Sequence, residues 1–414
     1  MRRELGLDLE AEQELRELGL DPGAEQELQL GLEAGRESEL DPEVCRELGL
    51  DPEAGRQLGL GLAAGRKVRL GPEARRELDR EYSPSSLVDD PSAFLDRYAA
   101  DSARARATLT VHRDLRCGPL PEQRFDYFPA PGEGAPLFVF VHGGYWQELS
   151  KAEAAFAARD FVAAGISFAA LGYGLAPAYG MRQLTAAAVD SLHWICAHRA
   201  SLPGAPAAVH LGGHSAGAHL VASALLDAEA GRRAGPRPAG TIASATLLSG
   251  VYDLELLRHT YVNDALGMDT AEARECSPLR RLPQAEPSSA TEAAPPQSVP
   301  PPQRALPPRS TPPPRGAALP PLLVARGERE TTAFDRQQVA FVRRARAAGA
   351  AVTDLVVPDR HHFDLPLDLA RPGTALGAEV MRVIRSTGPV GVDSGAGGGE
   401  SGSGAPLTDG TLVP

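Results

Sequence analysis

Ala207-Ala208-Val209-His210-Leu211-Gly212-Gly213-His214-Ser215-Ala216-Gly217-Ala218-His219-Leu220-Val221-Ala222-Ser223-Ala224-Leu225-Leu226 runs from a short apolar stretch through a glycine-rich turn into an Ala/Leu-rich segment of helical character. Its centre, Gly213 to Gly217, fits G-x-S-x-G, the pattern of a serine held on a sharp strand-to-helix turn, where small residues on either side keep the crowded backbone from clashing. The five-residue pattern alone is common in proteins. Its setting gives it weight: Ala207 to Leu211 precedes it as a buried strand does, and Leu220 to Leu226 follows as a helix does.

Serine attacks an acyl group only when a base takes its proton and something receives the oxyanion. Both helpers have candidates. Upstream, the continuous apolar run Leu137-Phe138-Val139-Phe140-Val141 has the texture of a central parallel strand. It ends in His142-Gly143-Gly144-Tyr145-Trp146, where a glycine-rich loop can bring its N–H groups close to a substrate oxygen beside the N–H of Ala216. Downstream, His361-His362-Phe363 follows the strand candidate Val352 to Val357, and one of the two histidines is the expected base. The orienting acid is expected on the loop after the preceding strand, Arg326-Gly327-Glu328-Arg329-Glu330-Thr331-Thr332, which leaves Glu330, Glu328 or Asp335. Glutamate can serve, because the task is to orient the imidazole and stabilise its cation. Of the other histidines, His214 flanks the serine too rigidly to be the base, and His193 and His219 fall on helices where packing roles are expected. Asp253 and Asp264 suit turns and caps better than a pocket.

Further strands are expected at Gln123 to Phe128, Ile166 to Leu171, Ala243 to Leu248 and Leu322 to Ala325. Helices are expected at Phe94 to Ala107, Ala152 to Ala164, Leu184 to Arg199, Leu220 to Glu229 and Ala333 to Ala348. This alternation predicts an α/β fold with a mostly parallel central sheet and helices on both faces.

The chain has 414 residues and a formal charge of -12, and residues 1–60 carry 17 acidic against 6 basic side chains. No basic field exists to attract nucleic acid. Residues 1–76 are a low-complexity acidic arm, an imperfect ten-residue repeat marked by Leu32 to Arg36, Pro52 to Arg56, Leu62 to Arg66 and Pro72 to Arg76. Without an aromatic residue before Tyr82 it lacks the apolar bulk for a core. The globular domain is expected over 77–387. A proline-rich insertion at about 284–319 interrupts it, with 14 prolines between Pro283 and Pro321, and a Gly/Ser-rich tail follows at 388–414.

Cys45, Cys117, Cys196 and Cys276 are too widely spaced for a zinc site or a disulfide framework and suit a reducing compartment. Met1-Arg2-Arg3-Glu4 leads into acidic sequence without an apolar h-region, so no signal peptide is expected, and no run approaches a membrane span. The expected location is the cytoplasm, extending to the nucleus.

The combination of His142-Gly143-Gly144-Tyr145-Trp146-Gln147, Gly213 to Leu220, Leu248-Ser249-Gly250-Val251-Tyr252-Asp253-Leu254 and Asn263-Asp264-Ala265-Leu266 resembles the animal arylformamidases, or kynurenine formamidases. These are α/β-hydrolases related to the hormone-sensitive lipase and esterase group. The resemblance begins near Glu77-Leu78 and Tyr82-Ser83-Pro84-Ser85 and runs to about Ser386, interrupted by the insertion. Tyr145-Trp146 after the paired glycines is its specific part, since general esterases of the group usually have a third glycine there.

The resemblance implies an α/β-hydrolase fold and a serine triad that cleaves N-formylkynurenine to kynurenine and formate, in tryptophan catabolism. It implies Ser215 as nucleophile and His362 as base, because the family's histidine is followed by Phe. It also implies Glu330 as acid where the family has Asp, with His142, Gly143, Gly144, Tyr145, Trp146 and Ala216 around the oxyanion and substrate. The implied partner is a small aryl formamide, with no metal, cofactor, nucleic acid or membrane, and a homo-oligomer is left open. The rival expectations are a carboxylesterase for small acyl esters and a catalytically silent binding module on the same fold.

Overall fold

A computed structural model describes residues 72–227, 242–282 and 319–387. In chain order the elements are α1 (Pro72–Glu81), α2 (Ser92–Thr108), β1 (His112–Arg116), β2 (Arg124–Phe128), β3 (Leu137–Val141), α3 (Ala158–Ala163) and β4 (Ser167–Leu171). They continue with α4 (Met181–His198), β5 (Val209–His214), α5 (Ala216–Leu226), β6 (Ile242–Leu248), α6 (Asn263–Leu266), α7 (Thr270–Glu275) and α8 (Pro278–Arg281). The last are β7 (Leu322–Gly327), α9 (Thr332–Ala347), β8 (Val352–Val357) and α10 (Ala375–Ser386).

The strands form one sheet in the order β1-β2-β4-β3-β5-β6-β7-β8, antiparallel at β1-β2-β4 and parallel from β4 to β8. All five residues of β3 are buried, because it is hydrogen-bonded on both edges and covered on both faces. One face carries α4, α5 and α9 through Leu184, Leu192, Leu220 and Phe341. The other carries α2, α3 and α10 through Ala105, Phe161, Val380 and Ile384, with Phe138 and Phe161 stacked at 4.4 Å.

The expected strands and the alternation hold, but α6, α7, α8 and α10 are additional to the expected helices, and four further differences concern local detail. β1, whose sequence is His-Arg-Asp-Leu-Arg, has no apolar signal because it is a half-exposed edge strand, where charge blunts further pairing. β5 runs three residues beyond Leu211, through Gly212 and Gly213 to His214. The alanine-rich stretch expected as a helix from Ala152 becomes continuous helix only at Ala158. Before it, the carbonyls of Lys151 and Ala152 accept the Arg106 guanidinium at 2.5 and 2.6 Å, which diverts them from a helical ladder. Pro72 to Arg76, assigned above to the arm, belongs to α1, whose Arg75 pairs with Asp264 at 3.1 Å. The rest of the arm, almost all of the insertion and the tail lie outside the described residues.

Candidate active site

The site lies at the carboxyl ends of the parallel strands, where loops after β3, β5, β6, β7 and β8 converge. β5 stops at His214, Ser215 turns with φ 55° and ψ -117°, and α5 starts at Ala216. Ser215 N–H donates to the Leu248 carbonyl at 2.8 Å, and its own carbonyl accepts from His219 N–H at 3.2 Å, so the strained turn is fixed from both sides. The flanking glycines are required by contact. A Cβ on Gly213 would lie 2.4 Å from the Gly217 carbonyl group, and one on Gly217 would lie 2.1 Å from the Val141 carbonyl oxygen. Ala216 opens the helix, where the first N–H groups have no partner within it.

β3 delivers the second wall. A Cβ on Gly143 would sit 3.2 Å from that of Ser215, so the loop passes against the serine. His142 stacks on Tyr173 at 4.3 Å, and the Tyr173 hydroxyl donates to the His142 and Gly143 carbonyls at 3.0 and 3.2 Å. Tyr145 and Trp146 both take positive φ, 47° and 59°. The Tyr145 hydroxyl donates to the Tyr82 carbonyl at 2.5 Å, while Trp146 is fully buried edge-on to His219 at 5.0 Å. His142 and Trp146, expected around the oxyanion and substrate, are packed against Tyr173 and His219, and Gly143 is the part of the loop that lies against the serine.

The loop after β7 brings Glu330 beneath the loop after β8. Glu330 Oε2 lies 2.9 Å from His362 Nδ1, and both side chains are buried. Glu330 Oε1 accepts from Gly327 N–H at 2.7 Å and from the Ser249 hydroxyl at 2.6 Å. The other candidate acids go elsewhere. Glu328 accepts from Asp359 N–H at 3.1 Å, and Asp335 pairs with Arg326. His361 faces Phe94 edge-on at 4.7 Å and takes Phe363 N–H on Nδ1 at 3.1 Å. His362 packs at 4.5 Å from His214, the residue before the serine, and at 4.6 Å from Phe334.

His193 and His219 hold the Ala224 and Cys276 carbonyls at 3.0 and 2.7 Å, as packing histidines do. Asp253 caps a turn at Glu255 N–H, 2.9 Å, and Asp264 pairs with Arg75.

Residues missed in the sequence complete the frame. The Glu81 carbonyl accepts from the Thr331 hydroxyl, the Glu81 carboxylate caps α9 at Ala333 N–H (2.9 Å), and the Tyr82 hydroxyl accepts from Gln337 at 3.2 Å. The end of α1 thus ties the acid loop to the glycine loop. Only its place at the start of the resemblance hinted at it.

Burial pushes the pKa of His142, His210 and His219 down to about 4 and moves that of His214 well below its ordinary value. These buried imidazoles are thereby kept neutral near pH 7. The unfolded chain binds protons at these sites from about pH 6.5 downward while the folded one does not, so stability is full above that pH and lost as pH falls toward 4. Denaturant unfolding is expected to show a loss of at least about 3 kcal/mol between pH 7 and pH 5. A flat profile over that interval would mean that these rings are not buried as described.

A family model for the alpha/beta hydrolase fold matches residues 138–364. Kynurenine formamidase of Danio rerio is 34% identical over 222 residues, which span 52% of this chain and 73% of that protein. Kynurenine formamidase of Drosophila melanogaster is 30% identical over 218 residues, spanning 49% and 71%. A solved structure from Silicibacter sp., provisionally termed a thioesterase, superposes with a TM-score of 0.57 at 25% identity, covering 74% of this chain and 99% of its own.

Proposed function

The chain belongs to the kynurenine formamidase family of α/β hydrolases and is an amide-hydrolysing enzyme, and from that premise we propose that it cleaves N-formyl-L-kynurenine to L-kynurenine and formate by serine catalysis, as a step of tryptophan degradation. The observation that carries the reading is the buried Glu330–His362 pair at 2.9 Å, packed beside the elbow that presents Ser215. In this reading Ser215 Oγ attacks the formyl carbonyl while His362 Nε2 takes its proton. Glu330 holds Nδ1–H and stabilises the imidazolium. The N–H groups of Gly143, Gly144 and Ala216 receive the oxyanion. His362 then protonates the aryl amine as the C–N bond breaks, leaving a formyl ester on Ser215. Water, deprotonated by the same histidine, attacks that ester and releases formate, and the proton returns to Ser215. An arylamine leaves more readily than an alkylamine, so this apparatus suffices without a metal.

The catalytic groups all lie within 143–362. The arm, insertion and tail supply none in this account. Cys117 and Cys276 are buried free thiols, which supports a reducing compartment such as the cytoplasm. No helix among the described residues is long and apolar enough to cross a membrane.

The test is relative kcat/KM. N-formyl-L-kynurenine is expected to exceed p-nitrophenyl acetate by more than about tenfold, because only the former fills an aryl amide site. The reverse order would make the protein a carboxylesterase. Turnover of neither would leave a silent binding module.

A further inference from the structure

We propose that Ser249 is a positioning residue that fixes the Glu330 carboxylate for His362. The inference rests on reading Ser215, His362 and Glu330 as one proton-transfer line.

Glutamate reaches the imidazole with one more rotatable bond than aspartate, and each free torsion must be frozen for the carboxylate to meet Nδ1–H in line. The structure freezes it from two strands. Gly327 N–H, at the end of β7, donates to Oε1 at 2.7 Å. A single donor leaves the carboxylate free to swing about that contact. The Ser249 hydroxyl, just past the end of β6, donates to the same oxygen at 2.6 Å from a different direction and removes that freedom. Oε2 is left to His362 Nδ1 at 2.9 Å. The three contacts define the plane of the carboxylate.

Ser249 is itself held for this task. Its N–H donates to the Ala325 carbonyl on the neighbouring strand at 2.8 Å, and only 2% of the residue is exposed. Its φ is 47°, in the left-handed region that costs energy for any residue but glycine. Strain of this kind persists where surrounding structure imposes it, and here it aims a hydroxyl at a buried carboxylate.

The experiment is a double-mutant cycle on the full chain with N-formyl-L-kynurenine. Ser249→Ala is expected to lower kcat about tenfold with KM unchanged, the effect of losing one hydrogen bond to a charged group. Ser249→Cys, a weak donor of similar shape, is expected to fall between the two. In a Glu330→Ala background, Ser249→Ala is expected to change the remaining rate less than about twofold, since there is no carboxylate left to position. Wild-type kcat in both Ser249 variants, or a second independent tenfold loss in the Glu330→Ala background, would overturn the assignment while leaving the triad intact. Full activity in Glu330→Ala itself would remove the triad reading and this inference with it.

Discussion

Ser215→Ala is expected to lower kcat for N-formyl-L-kynurenine by about 10⁴-fold or more, the loss that follows removal of a serine nucleophile when the oxyanion cradle is left in place. KM should change little, because the variant keeps every backbone N–H and the whole pocket wall. The fold should also survive. The anchoring contacts of residue 215 are made by its backbone, to the Leu248 carbonyl and from His219 N–H, and alanine keeps both. The positive φ at this position is no worse for alanine than for serine. Steady-state kinetics beside a thermal melt would check it. Retention of more than about a tenth of the wild-type rate would point to water attack or another nucleophile.

Gly217→Ala is expected to be the most damaging single methyl group in the site. Its Cβ would lie 2.1 Å from the Val141 carbonyl oxygen and 2.6 Å from that of His142, both backbone atoms at the end of β3. Neither can yield cheaply, since β3 is hydrogen-bonded to β4 and β5 and buried on both faces. We expect a loss of at least about 3 kcal/mol, the upper range of overpacking in a rigid interior. For a domain of this size that is about 6 to 12 °C in Tm. The folded fraction should also be impaired catalytically, because relief of the clash moves the His142-Gly143 loop away from Ser215. Differential scanning calorimetry decides: a melt unchanged from wild type would show that the elbow has room that the described contacts deny.

Much of this was legible in the chain because parallel strands and tight turns leave strong local marks. Leu137 to Val141 has to be covered on both faces, and Gly213 and Gly217 have to flank a serine that no larger residue could flank. His142-Gly143-Gly144 could be placed because it follows such a strand. Its finer anatomy could not, since nothing local says that Trp146 points into the core toward His219 while Gly143 meets the serine. β1 was missed because an edge strand needs charge where a central one needs bulk. The residues by themselves narrow the acid to three carboxylates, and only the family resemblance points to Glu330 among them. The choice depends on where the loops after β7 and β8 cross, and there Glu330 turns inward while Glu328 and Asp335 are taken by Asp359 N–H and Arg326. Ser249 and Glu81 were invisible for the same reason. Their partners lie 81 and 250 residues away along the chain.

The central claim is that His362, oriented by Glu330, activates Ser215, and covalent labelling tests it most directly. Folded protein treated with a fluorophosphonate probe and mapped by peptide mass spectrometry is expected to carry the label on Ser215, with labelling slowed by about 10³-fold or more in His362→Ala and abolished by heat denaturation. Label on another residue, no label at all, or an undiminished rate in His362→Ala would contradict the account.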